Sequence, residues 1–209
     1  PAMIRGMYAY HTQSLGWSDI GYNFLVDRFG RIWEGRYGGA TRAVVGAQTL
    51  NFNAVSMGVS GIGNFDVAGV PQAMTNAFKR IFAWKFSLAK IPATGTVRVN
   101  GKVLQRVSGH RNAFQTACPG RFLYARVPEI RAGTAAIMGR KAPVRVPPRV
   151  TPVWSPGIPA FSHRAISPAM VRPTPWLSPG AACCSSTAAT AVAASRVAGP
   201  GSAPDGAPS

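Results

Sequence analysis

The chain has 209 residues, enough for one domain of ordinary size with a full hydrophobic core. Lys and Arg number 23 against 6 Asp and Glu, which gives a formal net charge of +17. Such a charge favours polyanionic partners, namely nucleic acid, anionic lipid or the phosphate-rich polymers of a bacterial cell wall. Because the arginines are scattered and no nucleic-acid-binding motif is present, we expect no nucleic acid partner. No apolar run is long enough to span a membrane.

The composition changes near residue 140. Thirteen of the 18 prolines follow that point, and Ala, Ser, Thr and Gly fill most of the remaining positions. A segment of this composition cannot build a packed core. We therefore expect a folded domain over residues 1–140 and a disordered Pro/Ala-rich tail over residues 141–209, which packs on nothing. The spacing of the three cysteines (Cys118, Cys183 and Cys184) is not typical of a disulfide framework.

The folded part begins with a helical pattern. Ile4, Met7 and His11 fall on one face of a 3.6-residue period, which predicts the end of a helix over residues 1–11. From periodicity alone, His11 is a polar residue that closes an amphipathic face.

Strand patterns follow the first helix. Aromatic and branched residues predict strands over 22–26 and 32–34, and Gly30 supplies the positive φ of the hairpin turn between them. Residues 44–45 predict a short edge strand. A glycine-rich apolar run predicts a buried strand over 56–63, in which the glycines permit close backbone approach.

The clearest helix is predicted over residues 71–90, followed by a hairpin over 96–104 and a last helix over 128–138. The first of these helices has one apolar stripe, formed by Met74, Ala77, Ile81, Trp84 and Leu88. Together the elements predict an α/β fold, a mixed β-sheet flanked by helices.

One segment combines an imidazole with a thiol. His110 precedes Cys118 by eight residues, with Thr116 between them. Neutral imidazole and thiolate suit Zn²⁺. Pro119 predicts that Cys118 lies where a loop enters a helix, and a thiol at a helix N-terminus ionises more easily. A catalytic zinc normally takes three protein ligands and a water, and one His and one Cys at this spacing more often share no role.

Three ordered blocks carry more specific patterns. They are Gly16-Trp-Ser-Asp-Ile-Gly-Tyr-Asn-Phe-Leu-Val continued by Asp27-Arg-Phe-Gly-Arg-Ile-Trp-Glu-Gly-Arg, then Asn53 with Ser56-Met-Gly-Val-Ser-Gly-Ile-Gly-Asn-Phe, and Ser108-Gly-His-Arg with Thr116-Ala-Cys-Pro-Gly. These blocks resemble the peptidoglycan recognition protein family, which includes zinc N-acetylmuramoyl-L-alanine amidases. The resemblance covers residues 3–139. It implies an amidase type 2 fold and zinc-dependent hydrolysis of the amide between N-acetylmuramic acid and L-alanine in peptidoglycan.

The resemblance also implies roles for individual residues. His110 and Cys118 would hold Zn²⁺, and Tyr22 would donate a hydrogen bond to the oxygen of the scissile carbonyl. Thr116 would assist that stabilisation or orient the water. The implied substrate-binding residues are His11, Arg36 and Asn53. Without the resemblance, Tyr22 would be taken as a core tyrosine with a hydrogen-bonded hydroxyl.

Three positions depart from the family pattern. The first zinc histidine belongs to a strand that would lie before Pro1, so we expect an N-terminally truncated domain with two zinc ligands and feeble or no amidase activity. Gln48 stands where Gly-Ala-His is common. Asn112 replaces a frequent aspartate that would accept a hydrogen bond behind the metal ligands. We expect a monomeric bacterial protein, located outside the cell or in its wall, whose partner is peptidoglycan.

Two rival functions remain open. Loss of a zinc ligand would leave a non-catalytic peptidoglycan-binding module, and the positive charge alone would suit a cationic surface protein that binds wall polymers. Glycan cleavage is disfavoured because a glycosidase needs two carboxylates that flank one bond. The acidic residues of the folded part suit structural roles; they are Asp19, Asp27, Glu34, Asp66 and Glu129.

Overall fold

A mixed six-stranded β-sheet organises the computed structural model, which describes residues 2–140, 150–152 and 186–191. The strands are β1 (Phe24–Val26), β2 (Ile32–Glu34), β3 (Met57–Ile62), β4 (Thr96–Val99), β5 (Lys102–Gln105), β6 (Val107–Gly109), β7 (Val150–Pro152) and β8 (Ser186–Ala191). β4 and β5 form a hairpin of their own, and the others follow the order β6-β8-β3-β1-β2-β7 across the sheet.

Helices flank the sheet. They are α1 (Ala2–Ala9), α2 (Gln72–Ala89), α3 (His110–Ala113) and α4 (Arg121–Met138), with a π-helical turn at Tyr10–Ser14 and a 3-10 turn at Asn53–Val55. The predicted α/β fold with a mixed sheet is confirmed. Within the described ranges, no helix is both long and apolar enough to cross a membrane.

Both faces of the sheet are covered. Phe24 of β1 belongs to the core formed with α2 and α4, whereas the next residue, Leu25, packs with Ile4 of α1. Consecutive strand residues point to opposite faces, so β1 is buried on both sides. We refer to these sides as the α1 face and the α2 face.

The hairpin between β1 and β2 is confirmed, and its turn shows why glycine is required. Gly30 has a φ of 77°, and a Cβ there would lie 2.5 Å from the carbonyl oxygen of Ala73 in α2. A side chain would therefore strain the turn and collide with the helix packed beneath it.

Helix α2 confirms the helix predicted over 71–90. Lys90 ends it in the left-handed conformation, with a φ of 54° and an amide directed at the carbonyls of Phe86 and Ser87. The predicted stripe is buried except for Leu88, which is 49% exposed because it borders a cavity at the end of α2.

The predicted start of the last helix is wrong. Helix α4 begins at Arg121, so Pro128 lies inside it and Pro119 lies before it. The first turn of α4 is held by the loop after β3, since the Arg121 amide donates to Asp66 Oδ1 at 2.8 Å and the Phe122 amide to the Phe65 carbonyl at 2.9 Å. These long-range bonds satisfy amides that a helix N-terminus leaves unpaired.

The predicted edge strand at residues 44–45 is also absent from the described chain. The Val44 carbonyl accepts from Asn23 Nδ2 at 2.7 Å, and the Val45 carbonyl accepts from Arg36 Nη1 at 3.3 Å. Side chains, rather than a neighbouring strand, satisfy this backbone.

The prediction that the tail packs on nothing is wrong for two segments. β7 pairs in parallel with β2, and β8 lies between β3 and β6, antiparallel to both. Because β8 separates β3 from β6, it can satisfy backbone groups that each would otherwise turn toward an open gap. The remaining tail, with Cys183 and Cys184, lies outside the described residues.

Candidate metal centre and substrate cleft

His110 stands at the junction of β6 and α3. The Gly109 amide donates to Asn112 Oδ1 at 2.9 Å, and Asn112 Nδ2 donates to the Tyr124 hydroxyl at 2.8 Å. The Arg111 guanidinium lies 4.7 Å from the centroid of the Tyr124 ring. The turn that carries His110 is therefore attached to α4 by one side-chain bridge. Asn112, which departs from the family pattern, supplies both hydrogen bonds of this bridge.

The loop that carries Cys118 is bonded to the same turn. The Arg111 amide donates to the Cys118 carbonyl at 3.1 Å, and the Arg111 guanidinium donates to the Ala117 carbonyl. The Cys118 amide donates to Thr116 Oγ1 at 3.2 Å. The structure thus brings the segments of His110, Thr116 and Cys118 together, and Thr116 shapes the thiol-bearing loop.

The His110 imidazole lacks a hydrogen bond on one side. Nδ1 is buried, and no group among the described residues bonds to it. The ring lies 6.0 Å from the Phe114 ring centroid, and burial lowers the pKa of His110 below its ordinary value. A buried polar atom without a partner costs about 1–3 kcal/mol, and neutral imidazole is the form that binds metal ions.

These observations fit part of a zinc site. The unpartnered Nδ1 of His110 and the half-buried thiol of Cys118 are an imidazole and a sulfur donor on adjoining segments. In the part of the chain that the structure describes, no group of three His, Cys, Asp or Glu residues is placed to hold a metal. The described residues therefore offer two ligands of the usual three.

The strand that leads to His110 shows which side of the sheet it approaches from. Val107 lies in the core of the α2 face, and a Cβ on Gly109, the last residue of β6, would touch Tyr124 of α4. Continuing the strand alternation by one residue would direct His110 toward the α1 face, where Tyr22 packs.

The register gives the distance between these two parts of the site. Phe24, Val59, Ala189 and Gly109 are successive partners across β1, β3, β8 and β6. Three strand spacings amount to about 14 Å. This is the separation between the backbones of β1 and β6, with β3 and β8 between them.

Three of the predicted residues meet at the bend before β1. His11 Nδ1 accepts from the Gly21 amide at 3.4 Å, and its ring stacks on Trp17 with centroids 4.9 Å apart. The Arg36 amide donates to the Tyr22 carbonyl at 2.8 Å. His11, Tyr22 and Arg36 thus form one cluster on the α1 face.

Electrostatics in this cluster favours a neutral imidazole. Burial lowers the pKa of His11, the Arg36 guanidinium lowers it further, and Asp19 opposes them. Arg36 itself spans the bend, because its Nε donates to the Ile20 carbonyl at 2.9 Å.

The remaining predicted residue, Asn53, bonds within the loop before β3. Its Oδ1 accepts from the Thr49 amide at 2.7 Å, so it shapes the loop before β3. Gln48 in the same loop is 5% exposed; its Nε2 donates to Ser56 Oγ at 2.9 Å, and its Oε1 has no partner within the described residues.

Sequence reasoning missed Asn23, which positions this region. Asn23 is buried, accepts from the Gly58 amide at 2.9 Å and donates to Val44. Its polar type inside a run of buried residues was the available signal, because a buried amide needs partners.

Comparison with known proteins decides the family. Residues 4–121, more than half of the chain, match the family described as N-acetylmuramoyl-L-alanine amidase (Amidase_2). The chain belongs to this family. Peptidoglycan-recognition protein SC2 of Drosophila simulans is 35% identical over 124 residues, which cover 59% of this chain and 60% of the relative. The human N-acetylmuramoyl-L-alanine amidase is 36% identical over 123 residues, or 59% of this chain and 19% of the relative.

A solved structure matches this amidase-family chain at a TM-score of 0.51 and 31% identity. It is that of tracheal cytotoxin bound to the ectodomain complex of peptidoglycan recognition proteins LCa and LCx, and the match covers 61% of this chain and 69% of that one. The chain spans about 60% of the length of the Drosophila relative. The two curated relatives described here are insect and human proteins, whereas we expected a bacterial member.

Proposed function

We propose that this domain binds the muramoyl-peptide part of peptidoglycan and hydrolyses the amide between N-acetylmuramic acid and L-alanine, with zinc held in part by His110 and Cys118. One observation carries the proposal: the buried Nδ1 of His110 has no partner within the described residues, and its segment is bonded to the Cys118 loop. Family membership supports the same chemistry.

Each residue has a defined task in this proposal. Burial lowers the pKa of His110, which favours the neutral imidazole whose ring nitrogen can donate its lone pair to a metal. Zn²⁺ held by these residues would polarise a carbonyl and would lower the pKa of a bound water to about 7. Tyr22, on the same face, donates to the carbonyl oxygen as negative charge develops there, a contribution worth about 2.7–4 kcal/mol in comparable oxyanion sites. Thr116 holds the Cys118 loop, and its hydroxyl proton can orient the water or support the oxyanion.

The cleft residues divide between contact and positioning. The Arg36 side chain already donates to the carbonyls of Ile20, Val45 and Asp19. These bonds occupy three of the five N–H donors of the guanidinium, so the main task of Arg36 is to hold the cleft wall. Trp17, stacked on His11 and 38% exposed, offers an aromatic surface to a sugar or peptide.

A second candidate function is recognition without hydrolysis. It is favoured by the observation that the described residues contain only two of three zinc ligands. In that case the His11 and Trp17 wall would still bind the stem peptide. In either case we propose a monomer located where peptidoglycan is found, outside the cell or in its wall.

Zinc content and hydrolysis together distinguish these functions. The 209-residue protein is incubated with Zn²⁺, freed of excess metal, and tested for bound zinc and for release of L-alanyl peptides from muramoyl-peptides. We expect His110→Ala and Cys118→Ser to lose the zinc, while His11→Gln, the matched histidine control, keeps it.

Binding of metal-free protein to muramoyl-peptides is measured in parallel at low and high salt. Binding without hydrolysis identifies the recognition module. Binding only to anionic wall polymers, with steep weakening by salt, identifies the cationic surface protein. Zinc retention by both His110→Ala and Cys118→Ser would show that the metal pair is assigned wrongly.

A further inference from the structure

A cavity of about 200 Å³ lies at the end of α2, on the α2 face of the sheet. The loop 39–45, the 3-10 turn and α2 surround it. Its walls are largely apolar, with Val44, Val55, Met57, Phe86 and Ile91 among the lining residues. Arg36 and Asn53 also line it, so the cavity adjoins the wall of the proposed cleft.

Lys85 is the amine in this cavity. Its Nζ donates to the carbonyls of Ala40 at 2.9 Å and Arg42 at 2.8 Å, and lies 5.7 Å from the ring centroids of Phe24 and Trp84. These two hydrogen bonds connect the loop 39–45 to α2 through Lys85.

The surroundings of Lys85 disfavour its charged form. Burial lowers the pKa of Lys85 to about 8, against the opposing charge of Glu34. The Glu34 carboxylate also accepts from the Gly39 amide at 2.8 Å, which directs one of its oxygens at the loop. At pH 7 about one Lys85 amine in ten is therefore unprotonated, against about one in 2,500 for an ordinary lysine.

We propose that Lys85 is a modification site, a nucleophilic amine that small uncharged acyl donors reach through this cavity. The neutral Nζ attacks the acyl carbonyl, and an N–C bond forms. The bond from the carbonyl carbon to the leaving group breaks, the leaving group keeps the electron pair, and one proton of Nζ passes to solvent. The apolar walls and the small volume favour an acetyl-sized donor over a charged or bulky one.

Acylation would loosen the loop 39–45. The resulting amide has one N–H and no charge, so it can donate to Ala40 or Arg42 but not to both. The same loop is bonded to Asn23 through Val44 and to Arg36 through Val45. Modification of Lys85 would therefore act on the cleft wall from behind the sheet, whether or not the domain hydrolyses peptidoglycan.

The test is site-resolved acetylation of the full chain with a limiting amount of acetic anhydride, read by mass spectrometry of peptides. Lys90, one turn further along the chain and exposed, is the internal reference. We expect Lys85 to react about tenfold faster than Lys90 at pH 7, because its larger unprotonated fraction outweighs its lower basicity. The Lys85 rate should level off above about pH 8, and the preference should vanish in urea.

Two variants make the result decisive. Ala89→Leu, at the lining of the cavity, should slow Lys85 and leave Lys90 unchanged if the donor enters there. Lys85→Met should lose the labelled peptide and nothing else. A Lys85 rate no higher than that of Lys90 in the folded chain, or a preference that persists in urea, overturns the proposal.

Discussion

The amide of Arg111 donates to the carbonyl oxygen of Cys118 at 3.1 Å, and this bond joins the two segments of the proposed metal pair. The two segments are therefore held together by a backbone hydrogen bond and not only by the side chains of His110 and Cys118. Because α3 starts directly after β6, the sheet determines the position of His110. The position of Cys118 is determined by its loop, which is hydrogen-bonded to Arg111 of α3.

Replacement of His110 should have opposite effects with and without zinc. In metal-free protein, His110→Leu removes a buried nitrogen that has no described partner and should raise the free energy of unfolding by about 1 kcal/mol. With zinc present, the same variant should be the less stable of the two, because a ligand that binds only the folded state stabilises it. Urea unfolding in chelator and in excess zinc measures both effects. Equal changes in the two conditions would contradict a metal-binding role.

The bridge through Asn112 should control the position of His110. Asn112→Ala removes the bonds to the Gly109 amide and the Tyr124 hydroxyl, and should lower the free energy of unfolding by about 1–2 kcal/mol. We also expect it to weaken zinc binding more than the loss of stability explains. Asn112→Asp is the conservative control, because its carboxylate still accepts from Gly109 and can accept from the Tyr124 hydroxyl. If Asn112→Asp weakens zinc binding as much as Asn112→Ala, the bridge is not a positioning device.

The bend before β1 should lose stability in mild acid through His11. Burial and Arg36 lower the pKa of His11 in the folded chain. The folded state therefore binds fewer protons than the unfolded state between the lowered value and about 6.5. The contribution to stability is complete above pH 6.5 and is lost as pH falls through the folded value. Urea unfolding of the wild type and of His11→Gln at pH 7.5 and 5.0 should show a smaller acid loss in the variant; parallel losses would exclude His11.

The strand β8 should stabilise the domain although it lies far from it in sequence. Ala188→Pro removes an amide proton from β8 at the position that pairs with Ser60 of β3, and should lower the free energy of unfolding by about 1–3 kcal/mol. Ala188→Val is the matched control, because it keeps the backbone and suits a strand. Limited proteolysis adds a direct readout: a chain trimmed at residue 140 with no loss of thermal stability would show that β8 contributes nothing.

Local patterns in the sequence predicted much of the fold. Short sequence patterns predicted three elements: the hairpin with Gly30, the strand β3 and the helix α2. In each of them the spacing of the apolar residues along the chain indicates which side is buried. The pairing of His110 with Cys118 was also proposed from sequence, since both lie within one segment of the chain, and it stays a prediction. The exposure of Leu88 at the end of α2 was not predicted, because Leu88 borders a cavity whose other wall is a loop more than forty positions earlier in the chain.

The sequence by itself determined the helices and strands that short-range patterns specify, and the family to which the motifs belong. Only the tertiary structure decided that a Ser/Thr/Ala segment becomes β8, that Asn112 bridges to Tyr124, and that Lys85 lies near the rings of Phe24 and Trp84. The physical reason is the same in each case. Backbone pairing, buried hydrogen bonds and desolvation depend on partners that are remote along the chain, and the periodicity of a short segment does not identify those partners.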